Sequence, residues 1–490
     1  MGFGALPART PRRVVVTGIG MVTPLGLTTL DTWAAVCRGQ SGIRALRDAP
    51  YFLPTFLQND RALSAEAKQQ ALEKLVQAMP CQVAASIAAP PPPPPSSSSS
   101  PSKAASDPFA ATNAEPRSFK FCSRAVDEAL HDAALLSTHT VHGKPVQEVH
   151  LTDAQRDRCG VNIGMGIPSL ADTTDVSAYL TGDAIAHPHG RVHYNKVHPL
   201  FVPKILGNMA AGNTAIRHQL RGPIGSSVAA CATGAHCIGE AAAWIREGRA
   251  DVMVCGATEA CITPVSVAGF SRMRALCTAC NDAPASASRP FDTSRAGFVM
   301  GEGAGILILE ELEHAVARAA PRLYAELRGF GVSCDAHHVA APHPEGLGAR
   351  HCIQEALADG GQVPAAAVQY VNAHATGTIG DEVELAAIHH ALRPAVEGKS
   401  LYVSSAKGGL GHLLGAAGSV EAGLAVMALH NQSAPPTANL ASPCLTAEQQ
   451  AAGLVCVQGS AAQPLTSCEA VISTSFGFGG INTALLFTQV

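Results

Sequence analysis

Charge is scarce in this chain and nearly cancels. Lys, Arg, Asp and Glu together make up 15% of 490 residues, and 34 basic against 38 acidic side chains leave a net −4. No basic excess is available to neutralise phosphates, so the composition carries no electrostatic footprint for nucleic acid. Gly, charge or His interrupts every apolar run before the 18 or so residues that a bilayer span requires. A hydrophobic signal segment ahead of Val14 is also missing. The fifteen cysteines are too sparse and irregular in so long a chain for a disulfide framework, which points to a reducing compartment and free thiols. Cys277 and Cys280 form one CxxC, but no second pair follows at zinc-ribbon spacing, so no metal site is expected.

What the chain does have is 47% hydrophobic residues and 46 glycines, enough apolar material to exclude global disorder and to build a Gly-rich α/β body. The run RRVVVTGIGMVTPLG, Arg12 to Gly26, reads as a buried parallel strand ending in a Gly-rich turn. Its GxG lacks the third glycine of a dinucleotide fingerprint, and Pro24 interrupts the helix that such a site needs. Residues 1–13, with Arg9, Arg12 and Arg13 and no acid, suit a short targeting segment. The prolines of Pro90–Pro95 and the serines of Ser96–Ser100 cannot pack a core, so a disordered surface insertion is expected over 88–114. It falls inside the fold, because helical periodicity resumes at Phe119–Leu136 and Cys159–Gly166 reads as the next strand. The histidines at 187, 189, 193 and 198, and at 337, 338 and 343, read as members of solvated loops.

Further elements follow in alternation. An apolar strand at Val228–Ala230 leads into Cys231 and a buried helix at Thr233–Gly248. Val252–Cys255, Gly305–Leu309, Tyr324–Gly331, Tyr370–Ala373 and Thr483–Phe487 read as strands, with a helix across Ala416–His430. Residues 14–320 and 321–490 each end in a Gly-rich turn followed by an apolar strand, which hints at duplication.

The chemistry concentrates at a few small-residue turns. Cys231 lies at a helix start in AACATGAH, where free N–H groups and the helix dipole favour a thiolate. Lowering a thiol's pKa by about 1.5 takes roughly 2 kcal/mol and brings it near neutrality. His374 in VNAHATGT, and His412 with Lys407 in SSAKGGLGHLLGAAG, supply two imidazoles and an ammonium. Each is placed at a strand end, where α/β sheets gather their ligand site.

The blocks CATGAH, HATGTIGD, KGGLGHLLGAAG and SFGFGG resemble the active-site blocks of the β-ketoacyl-[acyl carrier protein] synthases, with YNKVHPLFVPKILGNMAAG and DVMVCGATEACITPVSVAGFSRMRAL agreeing outside them. The similarity is greatest to the mitochondrial type II enzymes. This resemblance implies a thiolase-like α/β fold, five-layered αβαβα from two related βαβαβ halves, assembled as a homodimer and needing no cofactor. It implies that Cys231 accepts an acyl group from an acyl carrier protein, while His374 and His412 assist decarboxylation of a malonyl thioester. Lys407 would organise that site with Glu421 as its acidic partner. Thr376 and Thr378 match the hydroxyls that hold the pantetheine arm, Phe476 a gating phenylalanine and Phe270 a second aromatic near the acyl pocket. Lys196 and Arg274 match positions of carrier-protein docking. Val228, Ile379, Leu410, Thr474 and Ile481 depart from the usual pattern and bear on hydrogen bonding around the catalytic groups. Three rivals stay open at this point: a polyketide or coenzyme A-primed condensing enzyme, a non-catalytic ketosynthase-like subunit, and a Cys-His hydrolase.

Overall fold

The computed structural model describes residues 12–87, 107–112, 115–141, 144–182, 192–361, 363–392 and 400–490. Among these, eleven strands join in one mixed sheet: β1 Val14–Val22, β2 Cys159–Gly164, β3 Ile224–Gly225, β4 Val252–Glu259, β5 Gly303–Glu311, β6 Ala325–Cys334, β7 Val368–Asn372, β8 Leu401–Ser404, β9 Leu454–Cys456, β10 Ala470–Gly477 and β11 Ile481–Thr488. Their spatial order is β9-β8-β7-β10-β11-β6-β1-β5-β4-β2-β3. The seam between β6 and β1 is narrow, with Val15 opposite Glu326 and Val16 opposite Ala325. On either side of it the strands repeat one plan. An initial strand pairs antiparallel with the last strand of its half, which pairs antiparallel with a strand that continues into parallel neighbours.

The helices repeat it too. Helix α1 (Arg117–Asp132) packs on β1 and β5, and α4 (Leu347–Asp359) packs on β6 and β11. Helix α2 (Met209–His218) lies beside α1 and touches β2. Between the two halves of the sheet lie α3 (Thr233–Arg246) and α6 (Ala417–His430), in contact with each other, while α5 (Gly380–Leu392) flanks α4. Every residue of α6 from Ala417 to Leu429 is buried, as expected of a helix apolar all round its circumference. β1 is buried along its whole length, which explains why its apolar residues run on without alternation: both faces of the sheet are covered.

Close packing of α1 and α4 depends on paired glycines. A Cβ at Gly20 would lie 1.9 Å from the Ala125 carbonyl oxygen, and one at Gly331 the same 1.9 Å from that of Cys352. Next to each pair the strand carries a register shift, at Val16/Gly18 and at Leu327/Gly329. The amide freed at each shift finds the same partner: Ile19 N–H donates to Asp132 and Phe330 N–H to Asp359, the last residues of α1 and α4.

Several expectations are corrected. No strand runs through Val228–Ala230; β3 ends at Gly225, and the chain reaches Cys231 through an irregular stretch in which Val228 is exposed. Arg12 and Arg13 belong to the folded body, paired with Asp251 and Glu326, whereas the remainder of the expected targeting segment, 1–11, lies outside the described residues. So do 88–106 and 113–114 of the expected insertion and the histidines at 187 and 189. Residues 107–112 are described, and there Phe109 is buried against Phe121 with ring centroids 5.0 Å apart. Arg117 secures this region by holding the Ile87 carbonyl, the Asp107 carboxylate and the buried Glu302.

Candidate active site

Cys231 sits in a single 3-10 turn (Ala230–Ala232) that runs into α3. The bend that presents it falls one residue earlier, at Ala230, whose φ of 48° is left-handed. Thr233 stabilises this turn by donating its hydroxyl to the Ala230 carbonyl at 2.7 Å while accepting the Ala229 N–H at 2.9 Å. The thiol is almost completely buried, and burial pushes it up to about 12 against the pull of Lys407. The thiolate expected from the helix start is therefore not the resting form: loss of water around the sulfur outweighs the nearby positive charge.

His374 follows β7. Its N–H donates to Glu384 Oε1 at 2.8 Å and to Thr474 Oγ1 at 3.2 Å, and the next N–H, of Ala375, takes Glu384 Oε2. Thr474 in turn donates to Glu384 at 2.7 Å. The unusual threonine at 474 thus completes the polar cradle under His374. Beyond it, Asp381 at the start of α5 accepts the N–H groups of Thr376, Gly377 and Thr378. This clamp shapes the turn, and Gly377 occupies a left-handed φ of 81° there. The hydroxyls of Thr376 and Thr378 lie 3.0 Å apart.

Lys407, buried behind the site, donates to the His374 carbonyl and to Glu421 on α6, and its Nζ lies 3.5 Å from His374 Nδ1. An ammonium has no lone pair to offer, so Nδ1 is the acceptor and the ring proton resides on Nε2. Burial raises Glu421 to about 7 even against Lys407. His412 is fixed through its backbone, donating N–H to the Val299 carbonyl at 2.7 Å and accepting from Gly301 N–H at 2.8 Å. The two imidazoles stand edge to face with centroids 5.4 Å apart. Burial first and Lys407 second depress both well below the ordinary histidine value, and His374 is depressed further by His412. Both rings are neutral near physiological pH.

Cys231, His374, His412, Thr376, Thr378, Phe476 and Arg274 all line one cavity of about 640 Å³. The Phe476 ring lies tilted beside His374, with centroids 5.6 Å apart. Phe270 stands one layer back, packed on Phe298 at 5.5 Å, and it is Phe298 that meets the cavity and lies edge-on to His412 at 5.3 Å. Lys196 is not among the lining residues; its ammonium lies over the Tyr179 ring. Exposed Ile379 and His338 also border the cavity, while Leu410 is buried. Reading motifs alone missed Glu384, Asp381 and Phe298. The first two were visible as the acids of GDEVE one helical turn apart, a spacing that puts both on one side of α5 facing the strand ends.

The chain matches two family descriptions in succession: the β-ketoacyl synthase N-terminal domain over residues 11–315 and its C-terminal domain over 324–441. It is 39% identical to the mitochondrial 3-oxoacyl-[acyl-carrier-protein] synthase of Arabidopsis thaliana, covering 98% of this chain and 94% of that one. With 3-oxoacyl-[acyl-carrier-protein] synthase 2 of Rhizobium meliloti the identity is 38%, over 98% and 99%. A β-ketoacyl synthase crystal structure from Burkholderia phymatum superposes with a TM-score of 0.74 at 29% identity, covering 98% of this chain and all of the other. The two-half sheet with α3 and α6 between its parts is the thiolase-like fold, and this chain belongs to the β-ketoacyl synthase family.

Proposed function

We propose that the protein is a 3-oxoacyl-[acyl-carrier-protein] synthase that elongates fatty acyl chains by decarboxylative condensation. The observation that carries this reading is the meeting of one thiol and two neutral imidazoles in a single cavity, with Lys407 behind them. In the first half-reaction Cys231 attacks the acyl thioester; the acyl group moves to Sγ and the thiol proton leaves with the carrier's thiol. A malonyl thioester then loses CO2, and the electron pair of the breaking C–C bond delocalises onto the thioester oxygen. Neutral imidazole N–H groups are suited to that oxygen, since they donate without requiring a proton from solution. The carbanion attacks the acyl-Cys231 carbonyl, a C–C bond forms, and the sulfur departs and is reprotonated. His374 is the better defined donor, because Lys407 beside Nδ1 leaves the proton on Nε2.

Thr376 and Thr378, adjacent on the cavity wall, would hold the pantetheine arm, and Phe476 beside His374 would gate it. Arg274, exposed at the cavity, is the better placed of the two docking candidates for an acidic acyl carrier protein. A homodimer is supported by β3, the last strand of the sheet, and by exposed Val202, Ile216, Ile224 and Val228 around it; such a face needs covering. The Arabidopsis relative is mitochondrial by name, and we assign this chain to the same organelle.

Intact mass after incubation with acyl-[acyl carrier protein], then with the malonyl form, tests the reading. An acyl adduct on Cys231 that discharges with release of CO2 and a 3-oxoacyl product supports it. An adduct that discharges only to free acid would replace it with a hydrolase.

A further inference from the structure

The CxxC at Cys277 and Cys280 plays no part in this chemistry, and among the described residues no group of three metal-ligating side chains forms. The two thiols are neighbours close enough that a charge on Cys280 helps to push Cys277 up, second to burial. Cys277 is buried and Cys280 half-exposed. Arg289 directs Nη2 at Cys280 Sγ, 3.5 Å away, and is itself held by Nε donating to the Ser286 carbonyl at 2.8 Å. A fixed positive charge thus rests against the sulfur that solvent can reach, and a second, shielded thiol lies behind it. That is the arrangement of an attacking and a resolving cysteine. Cys334 is more exposed, but its sulfur is engaged by the Ala336 N–H and the Gly479 carbonyl.

We propose that Cys277 and Cys280 form a reversible dithiol–disulfide couple whose oxidant is a low-molecular-weight disulfide. Cys280 thiolate attacks the oxidant's S–S bond, forming a mixed disulfide and releasing one small thiolate, which takes up the proton Cys280 gave. Cys277 then gives up its proton and attacks the Cys280 sulfur, expelling the second small thiol. Two protein thiols are oxidised and one small disulfide is reduced to two thiols. The couple borders the condensing cavity: Cys277 N–H donates to the Phe298 carbonyl and Phe298 N–H to the Ala275 carbonyl, both at 2.9 Å. Phe298 is the ring that lies edge-on to His412. Oxidation therefore braces the strap that holds Phe298.

The test is equilibration of the full chain in glutathione redox buffers of increasing oxidised fraction, acid quench, alkylation and peptide mapping. The expected result is a peptide containing Cys277 and Cys280 that is two hydrogens lighter and unalkylated, restored by dithiothreitol. It should form before Cys231 or Cys334 is modified. Cys277→Ser should trap glutathione on Cys280, and Cys280→Ser should leave Cys277 a free thiol. Full alkylation of both thiols while Cys231 or Cys334 is already oxidised would overturn the proposal. So would a bridge from Cys277 to Cys81, a buried thiol near enough to feel its charge, or a glutathione adduct that stays on Cys280 in the wild type.

Discussion

The halves of this molecule are built alike and employed differently. Each begins with a strand carrying a Gly-x-Gly, shifts register there, and hands the freed amide to an aspartate at the end of the covering helix. Each ends its central helix approach in small residues, ahead of α3 in one half and α6 in the other. Yet the first half brings a single thiol to the cavity, and the second brings His374 and His412 with Lys407 behind them. The scaffold is shared; the division of chemistry lies in the turns. The thiol lies at a left-handed bend made by Ala230 and is buried as a neutral group. Glu384 and Thr474 hold the His374 backbone, Lys407 on Glu421 lies beside its ring, and burial first and Lys407 second keep both imidazoles unprotonated.

The sharpest way to break this comparison is to separate the two half-reactions. Cys231→Ala should abolish the acyl adduct seen by intact mass. His374→Ala and His412→Ala should leave acylation largely intact and slow malonyl decarboxylation by about 100- to 1000-fold, the usual loss for one preorganised donor. Equal loss of both steps in the histidine variants would contradict the split. The next largest effect concerns pH. Since burial holds the Cys231 thiol near 12, its alkylation by iodoacetamide should climb about tenfold per pH unit between about pH 7 and 9, with no plateau. Decarboxylation should stay level from about pH 8 down to about 6, because both imidazoles remain neutral well below the ordinary value of about 6.5. A fall in decarboxylation centred near pH 6.5 would show that an imidazole had been left solvated.

Stability tests the shared part. Gly20→Ala and Gly331→Ala force a Cβ to 1.9 Å from a helix carbonyl in each half, and each should cost about 1–3 kcal/mol in urea unfolding. Matched losses would show the two packing seams to be equivalent; a loss confined to one would rank the halves. Smallest of all should be deletion of residues 88–106, with thermal midpoint and condensation rate nearly unchanged.

Much of this was legible from residue order. Gly-rich turns, β-branched runs and the four motif blocks located most of the strands and the thiol and two imidazoles that meet in the cavity, since a buried strand and a crowded turn each demand a narrow range of side chains. The approach to Cys231 was not legible. Val228, Ala229 and Ala230 look like a strand by composition, but one left-handed Ala held by Thr233 sets the path, and no local pattern announces it. Thr474 departs from the usual pattern, and only the folded chain shows its hydroxyl closing the Glu384 cradle. The thiol's protonation is not legible in sequence for a related reason. Sequence shows the helix start but not how completely water is removed around it. Phe270 packs on Phe298, and no motif reveals that Phe298, from a later segment, fills the position beside His412.

Arg117 gives the chain an unusual freedom. One guanidinium grips Ile87 and Asp107, the residues on the two sides of 88–106, so both ends are held by a single clasp. The entropy of holding two points of a chain together grows only with the logarithm of the length between them, and here those two points are already held. The body is therefore insulated from whatever is written there: a reporter peptide or a small domain could be spliced into the stretch, and the catalytic turns would not register its length.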